Sequence, residues 1–150
     1  MRNLLAIDPG TEKSAFLIWD GSRVGECGIL ENQDLLRKLA FGEFRATWAA
    51  IEMIASYGMP VGAEVFETCV WIGRFIERIG QTRLIYRKEV KMHLCGTPRA
   101  KDANIRQALI DKLGHVGTVN NPGPLFGVKS HLWAALGVAV TAWENPEGAR

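Results

Sequence analysis

The sequence predicts an α/β domain with a mixed five-stranded sheet, three antiparallel strands followed by two parallel ones, flanked by helices. The chain has 150 residues, of which 47% are hydrophobic and 23% charged, the composition of one globular domain. Three strand-like apolar segments come first, separated by short turns. Later strand-like segments alternate with helical patterns, which is typical of parallel strands. We therefore treat residues 1–150 as a single domain.

The first three strands form an antiparallel meander. Residues 3–8 are apolar up to an Asp-Pro-Gly sequence, which indicates a buried strand and then a turn, because proline and glycine cannot extend a central strand. Residues 14–20 and 23–30 carry the next two strand patterns. The two-residue spacing after Asp20, with Gly21 in the turn, favours a hairpin between them.

Helices and strands then alternate along the chain. Apolar residues recur at helical spacing in both predicted helices, and a glycine follows or ends each of them. The segments are a helix over 32–42 with Gly42 as its C-cap, a strand over 47–52 that ends in an acid, a helix over 61–79 stopped by Gly80, and a strand over 82–87.

The last part of the chain is mainly helical. A loop rich in glycine, proline and asparagine interrupts it, and loops of that length are usually functional or disordered. Ser130 is a natural N-cap for the final helix, whose buried face repeats small and aliphatic residues. The segments are helices over 89–94 and 101–113, the loop over 115–129, a helix over 130–143, and a tail from 144 that we expect to fray.

Composition excludes several classes of protein. No apolar run reaches the roughly 18 residues of a membrane span, and Asp8 interrupts the first apolar stretch, which does not resemble a signal peptide. The three cysteines are widely spaced and form no CxxC pair. We therefore expect neither a disulfide framework nor a zinc knuckle, and a cytoplasmic location with no membrane partner.

Positive charge is concentrated in one segment. Residues 83–106 carry a net charge of +5, whereas residues 1–82 carry −3. Such a block permits binding of a polyanion such as DNA or RNA, and it is also compatible with a solvated face beside a sheet edge. The candidate nucleic-acid-binding residues are Arg83, Arg87, Lys88, Lys91, Arg99, Lys101 and Arg106.

Two acids end predicted strands. Asp8 closes the first strand and Glu52 closes the fourth, and a helical crossover can place these strands side by side and parallel. Both carboxylates then emerge at one edge, where they repel unless a cation lies between them. Oxygen ligands suit Mg²⁺ or Mn²⁺, and two such ions promote phosphodiester cleavage. The alternative is that Asp8 caps a turn and Glu52 ends its strand in solvent.

Further candidates lie on later helices, and each has an ordinary structural explanation. Asp102 begins the helix over 101–113, where it can interact with the helix dipole. His131 lies in the first turn of the last helix and can be an exposed imidazole. A stripe on the 61–79 helix combines charge with an aromatic residue and indicates either a solvated surface or an interface. That stripe consists of Glu64, Glu67, Trp71 and Arg74.

Three motifs in order resemble the RuvC family of Holliday junction resolvases, within the RNase H-like superfamily, and in particular its phage-encoded variants. They are LAIDPGT at 5–11, AIE at 50–52 and KSHLWAALGVA at 129–139. The resemblance covers nearly the whole chain in element order. It implies an RNase H-like fold and a nuclease active site.

The resemblance also implies which residues form that site. Asp8 and Glu52 match the acids of the first and fourth strands, and His131 matches the first ligand of the last helix. The second helix ligand, an Asp in the family, falls at Ala134 here. Either Asp102 supplies the missing oxygen, or the site is weakened and the protein mainly binds junctions. Lys101 lies near the position of a family lysine and would approach the phosphate.

The implied activity is hydrolysis of a DNA phosphodiester with Mg²⁺ or Mn²⁺ at a four-way junction. A two-fold homodimer presents two sites to a two-fold-symmetric junction, and the family dimer surface corresponds to the helix at 62–79. The basic block would then follow backbone phosphates, and Phe66 or Trp71 could stack on unpaired bases. We expect no nucleotide cofactor.

Three alternatives share the fold. Asp-x-Gly-Thr after a first strand also occurs in actin-like kinases and ATPases, but those need a second domain and a second phosphate loop. Another RNase H-like nuclease would cut RNA–DNA hybrids or structured RNA. A catalytically silent junction-binding module would explain Ala134.

Overall fold

A computed structural model describes residues 2–146 and gives a five-stranded sheet in the order β3-β2-β1-β4-β5. Strands β1 to β3 pair antiparallel, and β4 and β5 join β1 in parallel. The predicted fold class is confirmed. The strands are β1 (Leu4–Asp8), β2 (Lys13–Trp19), β3 (Val24–Glu31), β4 (Trp48–Met53) and β5 (Thr82–Tyr86).

Five helices cover the two faces of the sheet. The first two pack on one face and the last three on the other. Each predicted helix is present, with ends shifted by up to two residues. The helices are α1 (Asn32–Ala40), α2 (Ala63–Ile79), α3 (Arg87–Cys95), α4 (Asp102–Leu113) and α5 (Leu132–Glu144).

Burial on both faces explains why the opening strand is an uninterrupted apolar run. Leu4 and Ala6 face α3, α4 and α5, whereas Leu5 and Ile7 face α1 and α2. All four are at most 2% exposed. A strand covered on both sides has no polar face, so its sequence lacks the alternation of a half-buried strand. The strand is thereby fixed in the centre of the sheet, with its acidic end at one edge.

Helix α5 lies directly against β1 and β2. Its glycine permits a close approach to α3 as well: a Cβ added to Gly137 would lie 3.0 Å from Cγ1 of Val90. Nine of its thirteen residues are buried. Its first turn is therefore held rigidly beside the acidic end of β1.

Three local predictions were wrong: the N-cap of α5, the length of the β2–β3 connection and the C-cap of α1. Ser130 does not cap α5: it has a left-handed φ of 52°, and His131 occupies the N-cap position without a side-chain cap. The β2–β3 connection spans four residues rather than two, because the Asp20 carboxylate accepts the N–H groups of Ser22 and Arg23 and closes the turn earlier.

The end of α1 shows why Gly42 follows the helix rather than capping it. Phe41 is the C-cap, and Gly42 takes a left-handed φ of 63° one residue later. Its N–H donates to Leu39, and the next N–H, that of Glu43, donates to Lys38. This is the Schellman arrangement, which satisfies the last carbonyls of the helix.

The 115–129 segment is irregular, as predicted, and it is packed onto the domain. Leu125 and Val128 are buried in the core, and the Val24 N–H of β3 donates to the Pro124 carbonyl at 2.9 Å. A single bridge between Gly117 and Pro122 makes a small hairpin at its tip. The segment thus carries the chain across the edge of the sheet to the start of α5.

Three further predictions concern the cysteines, membrane-spanning helices and the C-terminal tail. The cysteines at 27, 69 and 95 are all free and half-buried. Between residues 2 and 146 no helix is long and apolar enough to cross a membrane. Residues 147–150 of the tail predicted to fray lie outside the described residues.

Candidate active site

The site begins where β1 and β4 end side by side. Ile7 of β1 pairs with Ile51 of β4 in parallel register, so Asp8 and Glu52 follow at the same edge. Their side chains are 14% and 15% exposed. The two carboxyl groups are close enough for Glu52 to raise the pKa of Asp8. Sheet register thus brings the two strand-end acids together.

A buried polar network holds the turn after Asp8. Ser14 Oγ donates to Asn32 Oδ1 at 2.6 Å and accepts the Gly10 N–H, while Asn32 Nδ2 donates to the Gly10 carbonyl. A Cβ on Gly10 would lie 2.3 Å from the Lys13 carbonyl oxygen, so no other residue fits. The network fixes the path of the chain that leaves the first acid.

The pKa of Asp8 is raised from 3.8 to about 8. Burial is the largest cause, followed by the charge of Glu52 and the hydrogen bond to it, and Arg87 acts in the opposite direction. Without a further cation Asp8 is therefore largely protonated at neutral pH. Two carboxylates held this way are suited to a divalent cation, which would replace that proton.

Arg87 lies inside the acidic cluster. Its Nη1 is 3.4 Å from Glu52 Oε1, and its Nη2 donates to Asp102 Oδ1. Burial lowers the pKa of Arg87, but the two carboxylates raise it by more, so the net shift is upward. Asp102 itself is 86% exposed and reaches the site from the first turn of α4.

His131 approaches from the other side. Its Nδ1 is 3.6 Å from Asp8 Oδ2, and its side chain is 76% exposed. The left-handed Ser130 turns the chain immediately before it. Ala134, three residues later, lines the same groove and offers no ligand. Helix α5 therefore contributes an imidazole to the site and no carboxylate.

The four predicted site residues thus come from four elements to one edge of the sheet. In the described part of the chain, no cluster of three or more His, Cys, Asp or Glu side chains is arranged to hold a metal ion. The guanidinium of Arg87 lies between Glu52 and Asp102 instead. The donor set, hard oxygens with one imidazole, fits Mg²⁺ or Mn²⁺.

The basic residues divide into three groups. Lys88 and Lys91 line a groove of about 520 Å³ beside Glu52 and Arg87. Arg106 stacks over Trp133 at 4.9 Å, next to His131, with Lys101 at the start of α4 and Arg99 exposed in the turn before it.

Arg83 forms the third group, and it lines a second groove together with Lys88. It lies near the opposite end of β5, where its guanidinium donates to the carbonyls of Ala142 and Asn145 and so anchors the end of α5.

Sequence reasoning missed Ser14, Asn32 and the position of Arg87. Ser14 and Asn32 are 2% exposed, and each is a small polar residue at the border of an apolar strand or helix. That placement is a signal for a buried hydrogen bond, because such groups are rarely left unpaired. The direction of the Arg87 side chain had no sequence signal, since it follows from tertiary structure alone.

The sheet order, the helices on both faces and the acids at one edge define an RNase H-like fold. The structure matches Thermus thermophilus RuvC with a TM-score of 0.67 and 17% identity, covering 96% of this chain and 95% of that one. It matches T. thermophilus RuvC in complex with a Holliday junction substrate with a TM-score of 0.66 and 16% identity, over 95% and 93% of the two chains. No family model and no curated sequence matches the chain. The fold is that of RuvC.

Proposed function

We propose that this protein is a divalent-metal-dependent endonuclease that cuts four-way DNA junctions. The observation that carries the proposal is the pair of strand-end carboxyls, Asp8 and Glu52, joined at one edge of a RuvC fold. One of the matched structures is RuvC with a Holliday junction substrate, which supports branched DNA as the ligand. The resemblance of three sequence motifs points to the same activity.

Asp8 and Glu52 would hold Mg²⁺ or Mn²⁺, with Asp102 as an additional oxygen ligand. When bound, the ions neutralise charge on the phosphate and promote attack by water. His131, exposed at 3.6 Å from Asp8, can orient that water or accept its proton. Among the residues that line the groove beside Ala134, Asp102 carries a carboxylate, so it can replace the missing helix acid.

Basic residues on two sides of the acids would track the DNA backbone. Lys88 and Lys91 form one side, and Arg106 with Lys101 forms the other. Phosphate contacts of this kind give affinity without sequence preference and weaken as salt increases. Arg83, whose guanidinium donates to backbone carbonyls, would extend the first side, because it lines a neighbouring groove together with Lys88.

A homodimer would supply two sites to one junction. The outer face of α2 carries large apolar side chains in solvent: Phe66 is 64% exposed and Val70 is 62% exposed. Trp71 turns inward, half-buried against Phe75, with Arg74 stacked on it at 4.3 Å. An apolar face on a long helix, with Glu64 and Glu67 beside it, suits a two-fold interface.

Ala134 favours a second candidate function, junction binding without cleavage. Helix α5 provides no carboxylate to the site, so the cluster depends on Asp102, which is largely exposed and engaged by Arg87. A site that cannot recruit Asp102 would bind branched DNA and leave it intact.

The test is a cleavage assay on a four-way junction, with a flap, a linear duplex and an RNA–DNA hybrid for comparison, in Mg²⁺ or Mn²⁺. We expect paired cuts in the junction alone. Asp8→Asn should abolish cleavage and leave junction binding nearly unchanged, because it removes a metal ligand and no phosphate contact. Asp111→Asn, at an exposed position on α4, is the matched control and should cleave normally.

Each other outcome has a defined meaning. Junctions that bind but stay intact with either metal would establish the binding function. Cleavage of the RNA–DNA hybrid but not of the junction would show that the substrate is the hybrid. Cleavage retained in Asp8→Asn would refute the assignment of the site.

A further inference from the structure

Arg87 joins two of the proposed metal ligands. It is the first residue of α3 and follows Tyr86, which pairs with Met53 next to Glu52. Its side chain therefore starts at the same sheet edge as the acids. One nitrogen contacts Glu52 and another donates to Asp102, although those carboxylates belong to different elements.

The guanidinium of Arg87 and a divalent cation would bind the same carboxylate oxygens, those of Glu52 and Asp102. Arginine stays charged, has five N–H donors and accepts no hydrogen bond, so it is a permanent counterion. Asp8 and Glu52, which are mostly buried, require one because burial of unpaired charge is costly, whereas Asp102 is largely exposed. Arg87 thus does in the metal-free protein what a bound cation would do.

The structure also offers a place for Arg87 to move. Its side chain is 33% exposed, and it borders the groove lined by Lys88 and Lys91. Neither lysine forms an ion pair with any residue from 2 to 146. A third cation moved toward these two lysines would outnumber the carboxylate that lines the same groove, that of Glu52, and would suit a DNA phosphate.

We propose that Arg87 is a displaceable internal counterion. In the metal-free protein it closes the gap between Glu52 and Asp102. Divalent metal expels it toward Lys88 and Lys91, where it contacts the phosphate backbone, so that metal loading and DNA engagement are coupled through one side chain. The inference rests on the metal site of the proposed function and makes Arg87 a positioning residue.

The test measures Mn²⁺ affinity of the full chain by calorimetry without DNA. Arg87→Gln should bind Mn²⁺ at least about tenfold more tightly than wild type, because charge-assisted hydrogen bonds no longer have to be broken first. Arg87→Lys, which keeps the charge but loses the planar fork, should lie between them. Arg78→Gln removes an exposed positive charge from the last turn of α2, on the other side of the sheet, and should change Mn²⁺ affinity less than about twofold.

A second readout follows the side chain itself. The Nε–Hε resonance of Arg87 in the wild-type protein should shift on addition of Mg²⁺, with the released guanidinium exchanging its protons faster. Equal or weaker Mn²⁺ binding by Arg87→Gln would overturn the inference and leave the proposed function standing. An unmoved Arg87 resonance at saturating Mg²⁺ would do the same. Absence of Mn²⁺ binding in wild type and all three variants would overturn both.

Discussion

The acid pair makes the stability of the metal-free protein depend on pH in an unusual direction. The pKa of Asp8 is about 8 in the folded chain against 3.8 as its ordinary value, with burial as the main cause. Between these values folded Asp8 holds a proton that the unfolded chain has lost. The contribution of Asp8 to stability is therefore largest below about pH 4, falls as pH rises, and levels off above about pH 8.

Asp8→Asn removes this dependence, because asparagine does not ionise. One pKa unit corresponds to about 1.4 kcal/mol, so the full shift sets a limit of about 6 kcal/mol. Between pH 5 and pH 8 the free energy of unfolding of Asp8→Asn should gain about 4 kcal/mol relative to wild type. Urea unfolding followed by tryptophan fluorescence, in EDTA at several pH values, measures this difference.

The same unfolding experiment with Mn²⁺ added gives a second comparison of wild type and Asp8→Asn. Saturating Mn²⁺ should stabilise wild type and leave Asp8→Asn nearly unchanged, so the advantage of the variant at pH 8 should shrink or reverse. A variant-minus-wild-type difference that is flat with pH would refute the reasoning, since it would mean that Asp8 is not buried against Glu52.

Three further predictions address other parts of the chain. Asp102→Asn should reduce junction cleavage at least about tenfold if its carboxylate replaces the missing acid of α5, whereas wild-type turnover would return Asp102 to a helix-terminus role. Gly123→Ala should destabilise the protein by about 2 kcal/mol in urea unfolding, because its Cβ would lie 2.0 Å from the His115 carbonyl oxygen; an unchanged midpoint would show that the loop relaxes freely. Asp20→Asn should cost about 1 kcal/mol at pH 7, because it weakens the turn hydrogen bonds that lower the pKa of Asp20. That cost should fade as pH drops below the folded pKa, and a constant cost would exclude the charge as its source.

The strands and their order could be predicted because they follow from burial. A run such as residues 4–7 is apolar without alternation only when both faces are covered, and that places β1 in the centre. A helical crossover then sets β4 parallel beside it, so the meeting of Asp8 and Glu52 follows from topology. These features depend on many residues acting together, and no single side-chain conformation decides them.

The details that sequence reasoning missed depend on single conformations. Ser130 has the composition of an N-cap, yet the chain must turn sharply from the 115–129 loop into α5, and tertiary packing imposes a left-handed φ there. Arg87 lies in a basic stretch of sequence that is typical of an exposed surface, yet its position after β5 places it beside two carboxylates. Local propensity is a weak guide wherever tertiary contacts decide the conformation.

The account rests on Asp8 and Glu52 binding a divalent cation at the edge of the sheet. A crystal soaked in Mn²⁺ and measured near the manganese absorption edge tests this directly. We predict an anomalous peak about 2.1 Å from a carboxylate oxygen of each acid, with Arg87 turned away from Glu52. A crystal with no peak between these two carboxylates, or with manganese only elsewhere on the surface, would contradict the account.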